Sequence, residues 1–305
     1  MVTADMSVTF AGVRFRNPIV AASGTFGFGR EYGELYDISA LGGVCVKGLT
    51  ARARLGNPTP RIAETPMGML NSVGLQNPGV DAFIANELPD LRRLGVVVIA
   101  NISGNTASEY GEMAEKLSVA RVDMVEVNVS CPNVKRGGMM FGTSPDGVAE
   151  VTREVKRRSG VPVMVKLSPN VTDIAEIARA AEDAGADALS LINTIVGMRI
   201  DVNTRRPVLR MNTGGLSGPA ILPVAVRMVW QVARAVQTPV MGMGGVSRWE
   251  DAAEMMLAGA SLVGVGTANF SDPHAMTEII AGLEKYANER GVGRVGELTG
   301  GVMEY

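Results

Sequence analysis

The chain has 305 residues, 46% of them hydrophobic, with 31 acidic and 29 basic side chains, 37 glycines, two cysteines and one histidine. That length buries a substantial core as one large domain or two ordinary ones, which excludes a disordered or fibrous chain. A net charge of −2 with charges scattered singly leaves no basic face for nucleic acid. Cys45 and Cys131 cannot form a disulfide framework, a four-cysteine zinc site or an iron–sulfur cluster, and the lone His274 rules out a histidine-rich metal centre. No metal site is expected on this chain, and any redox cofactor is expected to be organic. The opening MVTADMSVTF has no positive stretch followed by an apolar one, and no run reaches the roughly 18 apolar residues of a membrane span. A cytoplasmic protein with reduced thiols is the expectation.

In chain order, SVTFAGVRF at 7–15 alternates around Ala-Gly and predicts a β-hairpin, placed to plug the floor of whatever follows. Short β-branched runs then come at 18–22, 43–47, 96–101, 124–129, 162–167, 188–193, 239–242 and 261–265. Between and after them, apolar residues recur at helical spacing over 79–94, 106–120, 145–158, 172–185, 219–236, 249–259 and 273–289, while 26–41 is only weakly helical. Near-continuous apolar strands alternating with helices describe a parallel sheet buried on both faces. Eight units with no composition shift between them predict one (β/α)₈ barrel domain over 1–305. Glycine follows the helix in RRLGVVV, EDAGADAL and MLAGASLV, which suits the left-handed residue that closes a helix.

Three connections, 48–78, 130–144 and 194–218, are much longer than usual, and each follows a strand. In such a barrel they stand on the catalytic face, although long loops are also tolerated as insertions. Lys47, Asn101, Asn128, Lys166 and Asn193 end otherwise apolar strands. An unpaired buried amide costs on the order of 1–3 kcal/mol and a charge more, so a polar or anionic ligand is expected to satisfy the group, while any single one of them can equally cap a loop. Gly242-Met-Gly244-Gly245 and Gly264-Val-Gly266-Thr267 follow the last two strands, and Gly214-Gly215-Leu-Ser217-Gly218 precedes them. Bare backbone N–H groups at that position suit a phosphate, and no Rossmann glycine motif opens the chain.

Cys131 sits in Asn128-Val-Ser-Cys-Pro-Asn133, followed by Lys135, Arg136 and two glycines. A loop thiol near cations is a candidate general base; the alternative is an inert loop thiol. Cys45, inside GVCVK, reads as a small core hydrophobe. His274, near the capping Asp272, has no assigned role, and Met67, Met69, Met139 and Met140 lie on the long loops, where some can line a flat ligand.

The segments NPIVAASGTFGFG, VKGLT, NSVGLQNPG, VNVSCPN, VKLSPN, LINT, GGLSGPA and GMGGV occur in this order between Asn17 and Thr267. On these the chain resembles the class 1 dihydroorotate dehydrogenases, most closely their B-type catalytic subunits; ASGTFGFG and the TRRPVLRM insertion favour that subtype over the fumarate-using A-type homodimer. The resemblance implies oxidation of dihydroorotate to orotate in pyrimidine synthesis. It implies FMN held by Ser23, Lys47, Gly48, Asn101, Asn128, Lys166, Ile192, Gly218, Gly244, Gly245, Gly266 and Thr267. Substrate contacts carry over to Lys47, Asn71, Ser72, Val73, Gly74, Leu75, Asn128, Asn133, Asn193 and Thr194, and the catalytic base to Cys131, where class 2 relatives have serine. It further implies a homodimer associated with a separate FAD and [2Fe–2S] subunit that passes electrons to NAD⁺. Taken without the resemblance, the residues also admit a related FMN barrel acting on another pyrimidine, or a cofactor-free sugar-phosphate lyase or isomerase.

Overall fold

The computed structural model describes residues 3–129 and 141–305. Its first elements are β1 (Val8–Phe10) and β2 (Val13–Phe15), paired antiparallel across Ala11 and Gly12 at φ 47° and 82°. Two successive positive φ values give the turn whose twist matches a hairpin. The rings of Phe10 and Phe15 are fully buried and meet edge to face at 6.2 Å.

The chain continues through β3 (Ile19–Ala21), α1 (Arg30–Gly33), β4 (Gly43–Cys45), β5 (Ile62–Thr65), β6 (Gly68–Asn71), α2 (Val80–Asn86), α3 (Leu88–Arg93), β7 (Val97–Ile102), α4 (Ala107–Val119) and β8 (Met124–Asn128). Next come α5 (Pro145–Arg158), β9 (Val163–Lys166), α6 (Ile174–Asp183), β10 (Ala188–Leu191), β11 (Ile195–Gly197), β12 (Ile200–Asp201), β13 (Arg206–Pro207) and β14 (Gly214–Ser217). It ends with α7 (Leu222–Ala235), β15 (Val240–Met243), α8 (Trp249–Leu257), β16 (Leu262–Val265), α9 (Ala268–Ser271) and α10 (Ala275–Glu289). Strands β3, β4, β7, β8, β9, β10, β15 and β16 close into a parallel barrel in that order, the (β/α)₈ architecture that the alternation predicts. Every residue of β3, β4, β9, β10, β15 and β16 is buried, because helices cover one face and barrel side chains fill the other. The hairpin closes the floor: the Phe15 ring lies 3.1 Å from where a Cβ on Gly43 would stand, at the base of β4.

Helix starts carry their own caps. Thr106 accepts from the Glu109 amide, Ser144 from that of Gly147, and Asp173 from those of Ala175 and Glu176, each satisfying orphan N–H groups of a first turn. In α5 the buried Val148, Val151 and Val155 form the inward stripe, while Lys156, Arg157 and Arg158 close its last turn, where cations suit the helix dipole.

Two expectations are corrected. The helix over 79–94 is two helices, with the break at Glu87 and Pro89 in the first turn of α3, since proline supplies no N–H to the preceding turn. The connections 48–78 and 194–218 are not mere loops: they pair as a four-stranded antiparallel sheet in the order β11, β14, β6, β5, with β12 and β13 as a small separate ribbon. These strands run two to four residues, too short for period-two alternation to stand out. Main-chain contact between β6 and β14 is close enough to demand glycine. A Cβ on Gly68 would fall 2.0 Å from the Ser217 carbonyl oxygen, and one on Gly218 would fall 2.5 Å from the Gly68 Cα, both at positive φ.

Candidate active site

At the C-terminal ends of the barrel strands a cavity of about 500 Å³ opens beneath the four-stranded sheet, within the usual range for a small-molecule site. The five polar strand-end residues, Lys47, Asn101, Asn128, Lys166 and Asn193, all line it. So do the other residues expected to hold a cofactor: Ser23 and Gly48 after the first two barrel strands, Ile192 after β10, Gly218 after β14, and Gly244, Gly245, Gly266 and Thr267 after β15 and β16. Of the expected substrate contacts, Asn71 through Leu75 and Thr194 join Lys47, Asn128 and Asn193 on the wall. Cys131 and Asn133 lie outside the described residues, as do Lys135, Arg136, Met139 and Met140.

Local structure explains how these side chains are held. Asn193 donates from Nδ2 to Asn128 Oδ1 at 3.2 Å and accepts the Thr194 amide at 2.8 Å, so two amides from β8 and the end of β10 act as one unit. The Tyr110 hydroxyl donates to the Asn128 carbonyl at 2.8 Å and anchors the strand end from α4. Ser23 donates to the Val46 carbonyl at 2.8 Å. On the opposite rim Thr267 and Ser217 meet hydroxyl to hydroxyl at 2.8 Å, which joins the loop after β16 to β14.

Among the described residues two cations, Lys47 and Lys166, line the cavity. Burial, and secondarily the nearby Arg61 guanidinium, hold the Lys47 ammonium below the usual lysine range. Lys166 is nearly buried, and its Nζ stands 3.9 Å from Oε2 of the fully buried Glu126. Asn101 donates to the same carboxylate at 2.5 Å, and its own Oδ1, also buried, has no partner among the described residues. An orphan acceptor on a cavity wall is a place for an N–H of a ligand. At Gly245, φ is 84° and a Cβ would press to 2.7 Å from the Leu222 nitrogen at the start of α7. The backbone there is bare and open to an anion beside a helix N-terminus. The arrangement suits a flat heterocycle with an imide-like edge, a phosphate at the glycine rim, and an anionic second ligand near Lys47.

Several members were not singled out in the sequence. Asn170 reaches across the mouth: its Nδ2 donates to the Thr194 carbonyl at 3.0 Å and its Oδ1 accepts the Val196 amide at 3.0 Å, tying the loop after β9 to β11. Its signal was the polar Ser-Pro-Asn that ends VKLSPN. Phe270, half-exposed, and Met69 also line the cavity, whereas Met67 does not. Glu126 was legible as the one charge inside MVEVN, the reasoning already applied to Lys166. Cys45 is buried as expected but does more than pack: its thiol, pushed well up by burial first and by the Glu126 charge next, stays protonated and donates to Glu126 at 3.1 Å. His274 stands at the start of α10 against Tyr36 and is not part of the wall.

A family model described as "Dihydroorotate dehydrogenase" matches residues 5–286. The chain is 56% identical over 300 residues to the dihydroorotate dehydrogenase B (NAD(+)), catalytic subunit, of Geotalea uraniireducens, covering 98% of each chain. It is 55% identical to the proteins of the same name from Geotalea daltonii, with 98% of this chain and 99% of that one covered, and from Geobacillus kaustophilus, with 97% and 95% covered.

Proposed function

The chain belongs to the dihydroorotate dehydrogenase family, and from that premise we propose that it oxidises dihydroorotate to orotate with a bound FMN as hydride acceptor. The observation that carries the reading is the convergence of Lys47, Asn101, Asn128, Lys166 and Asn193 on one cavity with an orphan acceptor in its wall. A flavin fits that set. Lys47, Lys166 and the strand-end amides of Asn101, Asn128 and Asn193 would hold its ring system, and the bare backbone at Gly244, Gly245, Gly266 and Thr267 would hold its phosphate.

When bound, FMN supplies hydride acceptance from C6 of the substrate. The chain's own residues do the rest. Cys131, as thiolate, would take the C5 proton while the hydride leaves from C6, the base role that the resemblance assigns to it. An ordinary thiol pKa of about 8.5 needs only modest lowering for this near neutral pH. Asn71, Asn128, Asn133 and Asn193 offer paired donors and acceptors to the alternating N–H and C=O edge of the substrate. Lys47 would meet the negative charge of the substrate, and β6, β14 and the residues at 72–75 line the cavity around it.

The two electrons leave, in this reading, to NAD⁺ through a second subunit carrying FAD and [2Fe–2S], associated with a homodimer of this chain. The relatives' name, B (NAD(+)), catalytic subunit, supports it, as do two cysteines where a four-thiolate cluster needs more. Anaerobic mixing of the FMN-loaded protein with dihydroorotate should bleach the visible flavin absorbance and yield orotate. Bleaching by dihydrouracil but not by dihydroorotate would overturn the substrate assignment, and failure to take up FMN would overturn the cofactor. Native co-purification with iron and flavin analysis tests the partner.

A further inference from the structure

One carboxylate lies under the cavity floor and is not accounted for by the proposed chemistry. Glu126 is fully buried in β8 and does not line the cavity. It receives Cys45 Sγ at 3.1 Å and Asn101 Nδ2 at 2.5 Å on Oε2, and Ser190 Oγ at 2.7 Å on Oε1, with Lys166 Nζ 3.9 Å away. These partners come from β4, β7, β9 and β10, which with β8 make five successive barrel strands. A buried charge is tolerated only when such donors and an opposite charge surround it.

Two of the four partners, Asn101 and Lys166, reach the cavity; the other two do not. A carboxylate only accepts hydrogen bonds, so Glu126 dictates which end of the Asn101 amide faces it. The NH₂ faces Glu126, and Oδ1 is left turned away from it as a buried acceptor with no partner among the described residues. The same carboxylate stands 3.9 Å from the Lys166 ammonium, whose residue lines the cavity.

We propose that Glu126 is a positioning residue that lowers the reduction potential of the bound flavin, by balancing the Lys166 charge and by aiming the Asn101 oxygen at the flavin's N–H. The inference rests on the reading of FMN in this cavity. Reduction would add negative charge to the ring system that Lys166 would help to hold. An unbalanced ammonium favours the reduced form, and the carboxylate at 3.9 Å withdraws that advantage. The charge effect and the orientation effect separate in Glu126→Gln, whose side-chain oxygen still accepts from Asn101.

The test is the midpoint potential of bound FMN, read by anaerobic spectroscopic titration in Glu126→Gln, Lys166→Met and the double variant. Glu126→Gln should favour reduced over oxidised flavin about tenfold, roughly 30 mV upward for a two-electron couple. Lys166→Met should move the potential downward, and the double variant should return close to the parent. A flavin-loaded Glu126→Gln protein with unchanged potential overturns the inference. If that variant does not fold, the other two decide: an unmoved Lys166→Met, or a double variant as low as Lys166→Met, overturns it as well. A merely structural Glu126 gives no pair of opposite shifts that cancel. Parent protein that takes up no flavin fails the cofactor reading and this inference with it, whereas flavin uptake with unmoved potentials fails this inference alone.

Discussion

Cys131 and Lys47 carry the sharpest expectations at the scale of single residues. Replacing Cys131 with serine should leave FMN bound and slow its reduction by dihydroorotate roughly 10²- to 10⁴-fold near neutral pH, because a hydroxyl ionises far less readily than a thiol and so presents almost none of the anionic base; stopped-flow reduction at an unchanged rate would contradict the assignment. Lys47 is half-buried with its ammonium held below the usual range, first by burial and then by Arg61. The sign of the pH effect follows. An anionic product such as orotate binds the protonated form, so its affinity should fall as pH rises through the Lys47 pKa, and this fall should begin below the ordinary lysine value of about 10.4. The folded chain itself gains stability over the interval between the depressed folded value and the unfolded one, since there the unfolded state binds more protons. In Lys47→Arg the guanidinium stays charged throughout, so a spectral titration with orotate should lose that alkaline limb. Lys47→Ala should weaken orotate binding roughly ten- to hundredfold, the worth of a hydrogen bond to a charged group, and slow flavin reduction too; a change confined to FMN retention would contradict the double role. The Lys47, Asn128 and Lys166 positions were legible because an apolar strand has no packing use for them. The Glu126 network was not, because Cys45 and Glu126 are 81 residues apart and Ser190 and Glu126 are 64 apart, and which strands meet is not written in any one of them.

Elements divide into those that carry the site and those that only carry the fold. The sheet of β11, β14, β6 and β5 roofs the cavity, and its tightest point is Gly68 against Ser217. Gly68→Ala must push β6 from β14, since a backbone carbonyl cannot yield as a flexible side chain does. Because β6 ends in Asn71, the variant should raise KM for dihydroorotate by at least roughly tenfold; an unchanged KM would show that the roof does not position substrate. By contrast, Asp173 caps α6 through the Ala175 and Glu176 amides and does not line the cavity. Asp173→Ala should lower unfolding stability by about 1 kcal/mol with no effect on FMN affinity, measured by denaturant titration and flavin fluorescence. The barrel helices and strands were legible from period and burial. The roof was not, because strands of two to four residues carry no usable period and their partners lie far along the chain.

The described residues build a barrel with a plugged floor and a roofed mouth. Phe15 is fully buried against Phe10 and the base of β4, so Phe15→Ala should cost about 3–5 kcal/mol while leaving the ligand end unaltered. FMN at a hundredfold excess over its Kd should stabilise the fold by about 2.7 kcal/mol, on the order of 5 °C in Tm for a chain of this size; equal melting of loaded and flavin-free protein would mean the cavity is not the flavin site. The sequence by itself determined the barrel, its plug, and the polar residues at the strand ends. Each of these rests on a local property: hydrophobic period, a turn that needs positive φ, or a polar side chain inside an apolar run. Only the tertiary structure decided that 62–71 and 195–217 pair into a roof, that Asn170 straps the mouth, and that Glu126 holds Asn101 and Lys166 from below. These depend on which distant segments are brought into hydrogen-bonding distance away from water, and a buried carboxylate is defined by its neighbours rather than by its place in the chain.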